Sequence, residues 1–104
     1  MSIYKTVLES YSTEKEVNVG MYFASSTMHL VNNVTVRLRP GWNQYDGEYA
    51  VNSAGVDTFS TGAYGNLNVK LPYGAYTMEI TWGGEPYGYS NVYIGSGLYA
   101  YQLD

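Results

Sequence analysis

Leu67-Asn68-Val69-Lys70-Leu71-Pro72-Tyr73-Gly74-Ala75-Tyr76-Thr77-Met78-Glu79-Ile80-Thr81-Trp82 is the stretch that decides the fold class. It holds two alternating runs joined by a turn. In the first, Leu67, Val69 and Leu71 share one side, and Asn68 and Lys70 the other. In the second, Tyr76, Met78, Ile80 and Trp82 oppose Thr77, Glu79 and Thr81. Successive side chains of a strand point to opposite faces, so each run carries one apolar and one polar face. Pro72 presets φ for a turn, and Gly74 accepts a positive φ. Two such runs so closely joined predict strands with one face buried and one wet.

The same period runs through the neighbours. Val17, Val19, Met21 and Phe23 alternate with Asn18, Gly20 and Tyr22. Val34, Val36 and Leu38 alternate with Thr35, Arg37 and Arg39. Further strands are expected at residues 3–11, 48–51, 56–60, 89–95 and 98–103. Turn signals separate them at Pro40-Gly41, Asp46-Gly47, Ala54-Gly55, Gly83-Gly84 and Gly95-Ser96-Gly97. Helical periodicity is absent. Short strands at this spacing predict a sandwich or small barrel, and the expected fold is an all-β, antiparallel β-sandwich of about seven to nine strands. The 104 residues fit one domain, 1–104, with a single core and little room for a deep cleft. Residues 40–48 are the longest irregular stretch, where a functional loop is expected.

Thr61-Gly62-Ala63-Tyr64-Gly65-Asn66 followed by Leu67 through Ile80 resembles the turn–strand–LPxGxY–strand core of prealbumin-like (transthyretin-like) sandwiches. That superfamily includes carboxypeptidase regulatory-like domains and the Cna B-type repeats of bacterial surface proteins. The resemblance runs from about residue 30 to 95 and implies a prealbumin-like or Ig-like sandwich. The strand before Leu71-Pro72 is a residue shorter than usual, and residues 1–23 add strands that the smallest members lack. Some Cna B-type repeats form a Lys–Asn isopeptide bond assisted by an inward Glu on the strand that begins here at Tyr76. Glu79 has outward parity and Ile80 takes the inward place, so the bond is not expected. Lys5 as the amine would lack its partners.

The residue census excludes several chemistries. There is no cysteine, hence no disulfide, thiolate nucleophile or Cys-ligated zinc. Such a chain suits the cytosol, a virion or a bacterial surface. The lone His29 must serve any catalytic triad, and no serine or acid is spaced to join it. Asp46 and Glu48 are the nearest thing to a carboxylate pair or, with Asn43 or Asp57, to a calcium site. Their spacing matches no EF-hand loop, and a solvated hairpin loop is the plainer reading. Gly95-Ser96-Gly97 lacks the Lys and helix of a phosphate loop. No cofactor is implied.

Net charge is −4 with only five Lys and Arg, which argues against nucleic acid. Arg37 and Arg39, with Lys70 as a candidate neighbour, read as exposed residues on the polar face of a strand. Glu9 breaks the N-terminal apolar run, so no signal peptide is expected, and no run is long enough to span a membrane. The expectation is a soluble chain of a virion or cell surface, otherwise cytoplasmic.

Thirteen tyrosines exceed what one small core needs. If Val92 and Ile94 point inward, Tyr89 and Tyr93 point out. Tyr22 has outward parity, and Tyr87 extends the set. Tyr99 and Tyr101 either face out or join Leu103 in the core. Exposed tyrosines offer rigid, amphipathic contact area for a protein partner or a sugar. The expected binding face is therefore Tyr22, Tyr87, Tyr89, Tyr93, Tyr99 and Tyr101, with Trp42 and Tyr45 as loop candidates. The leading expectation is a non-catalytic structural or adhesive module of an extracellular or virion assembly, such as a phage structural protein or an appendage component. It would work by protein–protein contact or self-association. The alternative is a carbohydrate-binding module using Trp42, Trp82 or the tyrosine face. A small hydrolase built on Asp46, Glu48 and His29 ranks third.

Overall fold

The computed structural model describes residues 15–27, 29–62, 65–95 and 98–103. The strand expected at 3–11, Lys5, and Ser96-Gly97 lie outside them, as do the side chains of Tyr99 and Tyr101. Among the described residues there is no helix, and seven strands form two packed sheets. The strands are β1 (Glu16–Ala24), β2 (Val34–Pro40), β3 (Phe59–Ser60), β4 (Asn66–Pro72), β5 (Gly74–Trp82), β6 (Glu85–Ile94) and β7 (Leu98–Gln102). One sheet has the order β4-β1-β7 and the other β3-β2-β5-β6.

Alternation positions the core. From the first sheet come Val19, Met21 and Phe23 of β1 and Leu67, Val69 and Leu71 of β4. From the second come Val34, Val36 and Leu38, then Tyr76, Met78 and Ile80, then Val92 and Ile94. Phe59 and Leu103 complete one apolar cluster that both sheets share. Packing the two sheets face to face hides both apolar faces at once.

The Pro72-Tyr73-Gly74 corner carries the chain from one sheet to the other. Gly74 has φ +152°, and the Tyr76 hydroxyl donates to the Pro72 carbonyl at 2.7 Å, tying the corner shut. Trp82 and Glu85 are paired across Gly83-Gly84, whose φ values of +63° and +82° suit a two-residue hairpin turn.

That hairpin does not stay in register. Thr81 pairs with Pro86 but Ile80 pairs with Gly88, which leaves Tyr87 as the extra residue of a β-bulge. The bulge decides which way β6 faces. Without it, Tyr89 would sit opposite Met78, on the core side. With it, Tyr89 lies opposite Glu79, Asn91 opposite Thr77 and Tyr93 opposite Ala75, all on the outer side.

Three expectations are corrected. The sandwich is not wholly antiparallel, because β7 runs parallel to β1, from Gly20 beside Leu98 to Ala24 beside Gln102. Residues 48–51 are not a strand: Ala50 gives one hydrogen bond to the Leu38 carbonyl, beyond the end of the two-residue β3, and no ladder follows. Of residues 56–60, only Phe59–Ser60 pair.

Candidate functional site

The outer face of the β3-β2-β5-β6 sheet is built in cross-strand rows. Arg37, Glu79 and Tyr89 form one row, and Arg39, Thr77 and Asn91 the next. Residues 41–58 contain no strand, and their first part folds back across this face. The irregular stretch expected at 40–48 is thus an ordered cover with defined bonds.

Those bonds are mutual. The Asn43 amide donates to the Asn91 side-chain oxygen at 2.9 Å, and the Asn91 amide group donates back to the Asn43 side chain at 3.1 Å. The Thr77 hydroxyl donates to the Gly41 carbonyl at 2.7 Å and accepts from the Gln44 amide at 2.9 Å. The Trp42 indole donates to the Val92 carbonyl at 2.9 Å. Thr77 therefore has outward parity yet is only 1% exposed. A side-chain hydroxyl there replaces the water that the loop has displaced.

Beside this clasp lies a charged cluster. Arg39 donates to Glu79 at 3.0 Å and to the Gly47 carbonyl at 3.0 Å. Tyr49 donates to the second Glu79 oxygen at 2.9 Å. The Tyr49 ring lies under both guanidiniums, 4.3 Å from Arg39 and 4.8 Å from Arg37. Removal from water, followed by donation to Glu79, pushes the Tyr49 hydroxyl above its ordinary pKa. Arg39 is raised as well: loss of water opposes the charge, but the Glu79 hydrogen bond and the Tyr49 and Glu79 charges outweigh it. The expectation of two exposed arginines fails at both: Arg39 is 8% exposed under the loop, and Arg37 is half-buried. Lys70 is on the other sheet and is no neighbour of theirs.

Aromatic rings surround the cluster. Tyr45 meets Tyr89 edge to face at 4.9 Å, and Trp82 meets Tyr87 likewise at 5.7 Å. Trp42, Tyr45, Tyr87, Tyr89 and Tyr93 are all exposed, Tyr93 to 52%. Tyr87 and Tyr89 also border an open groove of about 540 Å³, lined with them by Arg37, Glu79, Thr81 and Gly84, among others.

The expected tyrosine face divides. Tyr87, Tyr89 and Tyr93 stand together on β6, and the loop brings Trp42 and Tyr45 to them. Tyr22 does not join them. It is half-buried on β1, in the opposite sheet, and its outward side is the far side of the sandwich. The strand bearing Tyr99 and Tyr101, β7, belongs to that far sheet too. Asp46 and Glu48 are exposed, and no group of three metal-ligating side chains occurs among the described residues. His29 bonds Thr27 at 2.9 Å in an exposed turn, apart from both carboxylates. The sequence reading overlooked Tyr49, Thr77 and Asn91. The outward parity of Thr77 and Asn91 was visible, but nothing local to the three announces a loop that folds back.

No family model matches the sequence, and no curated protein matches it. Among solved structures, the chain is similar to a DUF3823 family protein from Parabacteroides merdae ATCC 43184, with 14% identity and a TM-score of 0.49. The match covers 85% of this chain and 44% of that one, so the chain spans less than half of its neighbour.

Proposed function

We propose that this chain is a non-catalytic structural or adhesive module, prealbumin-like in its central part, that contacts a protein partner through the aromatic outer face of β6 and its loop. An extracellular or virion assembly is its expected setting. One observation carries the reading. Trp42, Tyr45, Tyr87, Tyr89 and Tyr93 are large, exposed and gathered on one side of the molecule. Ring contacts or an indole hydrogen bond fix four of them. Pre-fixed aromatic side chains lose little freedom on binding, which is why they dominate protein recognition surfaces. The LPxGxY corner, with its Tyr76–Pro72 tie, supports the prealbumin-like reading.

Size-exclusion chromatography with light scattering on the full chain is the test. Self-association that disappears in a Tyr89→Ser/Tyr93→Ser variant supports the reading, through an interface of on the order of 1,000 Å² or more. A strict monomer that binds a glycan overturns it. The groove between Arg37, Tyr87 and Tyr89 favours that second reading, a carbohydrate-binding module.

A further inference from the structure

The groove carries an unequal share of charge. Two guanidiniums, Arg37 and Arg39, face one carboxylate, Glu79, and both Glu79 oxygens are already engaged, by Arg39 and by Tyr49. Arg37 stacks on Tyr49 and lines the groove, but no carboxylate or carbonyl among the described residues accepts a hydrogen bond from it. A guanidinium presents five N–H donors in a planar fork that matches a carboxylate with two parallel bonds. Arg37 thus stands at the groove without an ion-pair partner among the described residues.

The rest of the groove has the make-up of a sugar site. Tyr87 and Tyr89 give it ring walls, and Thr81 adds a hydroxyl. Gly84 and Gly88 leave bare backbone, with open space where a side chain would stand. A volume near 540 Å³ is ample for one or two sugar rings. A doubly charged phosphate fits less well, since one net positive charge beside Glu79 answers a single negative charge.

We infer that this groove binds a carboxylate-bearing sugar, with Arg37 forking the carboxylate and Tyr87 and Tyr89 stacking on the ring. The inference rests on the carbohydrate reading of the groove and is independent of any protein contact made by Tyr93 and Trp42. Hexuronates and sialic acids share the required chemistry, and the test separates them.

Titration calorimetry on the full chain would compare digalacturonate with digalactose, and sialyllactose with lactose. One acidic sugar of the two pairs should bind at least about tenfold more tightly than its neutral counterpart, the usual worth of a charge-assisted pair. Arg37→Gln should abolish that preference, and Arg37→Lys, which keeps the charge but not the fork, should retain part of it. Tyr89→Ala should weaken binding, and Tyr93→Ala, outside the groove, should not. Circular dichroism on each variant confirms folding. If Arg37→Gln does not fold, the acidic-to-neutral ratio in the unaltered chain and in Arg37→Lys still decides. Equal binding of acidic and neutral sugars would overturn the carboxylate inference and leave the carbohydrate reading standing. Absence of binding by all four would overturn both.

Discussion

On the β4-β1-β7 sheet the outward positions are Asn18, Gly20 and Tyr22, paired with Lys70, Asn68 and Asn66. Apart from Gly20 and Tyr22 they stand exposed, side by side, as a wet strand face should. On the other sheet the outward positions are Arg37 and Arg39, Thr77 and Glu79, Tyr89 and Asn91. These obey the same alternation, yet Thr77 and Arg39 are buried, and Glu79 and Asn91 are hydrogen-bonded into a network with the loop. Alternation fixes the side of the sheet toward which a residue points. Whether that side meets water depends on what else the chain lays over it. The exposed aromatic rings gather where a loop folds back over the sheet.

The contrast lies on the outer faces, so inward substitutions should not respect it. Phe23→Ala in β1 and Met78→Ala in β5 both delete fully buried side chains from the one shared core. Each should cost about 2–5 kcal/mol in urea denaturation. A much smaller loss from one of them would mean that the sheets do not share a core.

The outer faces should then separate. Thr77→Val keeps the shape but leaves the Gln44 amide and the Gly41 carbonyl without their hydroxyl partner, which should cost about 1–3 kcal/mol. Asn68→Ala, at an outward position of the plain sheet, should change stability by no more than about 0.5 kcal/mol. Equal costs at the two sites would erase the difference between the faces.

The smallest effect is a pH dependence. Tyr49→Phe removes the hydroxyl bond to Glu79 and should cost about 1 kcal/mol near neutral pH. The folded chain holds the Tyr49 proton more tightly than the unfolded chain does, because its pKa is raised. Its contribution is therefore complete below the unfolded value near 10 and falls as pH rises through the folded value. The stability gap between wild type and Tyr49→Phe should narrow above about pH 10. A gap that widens in alkali would show that Glu79 does not hold the Tyr49 proton.

The sequence made some of this legible at particular residues. Val92 and Ile94 alternate with Tyr93, which was enough to turn Tyr89 and Tyr93 outward. Gly83-Gly84 named a turn, and Pro72-Tyr73-Gly74 named another, though not that the second carries the chain from one sheet to the other. The parity of Glu79 and Ile80 was read correctly as well. Tyr22 was grouped with the wrong neighbours because parity is relative to its own sheet, and nothing in β1 reveals which sheet it will join. The extent of the irregular stretch was visible from Gly41 onward, but not its destination. The partners that hold it, Thr77 and Asn91, lie more than 30 residues away in the chain.

By itself the sequence determined the long strands β1, β2, β4 and β5, their inward faces and the sandwich, because alternation and turn chemistry act over a few residues. It also tied an outward Tyr89 and Tyr93 to an inward Val92 and Ile94. The tertiary structure alone decided three things that depend on contacts between distant segments. It set β7 parallel beside β1, it placed the Tyr87 bulge that reconciles the Gly83-Gly84 turn with the inward Val92 and Ile94, and it laid the loop from Gly41 onward over Thr77. From those followed the union of Trp42 and Tyr45 with the β6 tyrosines, and the groove in which Arg37 stands without an ion-pair partner among the described residues.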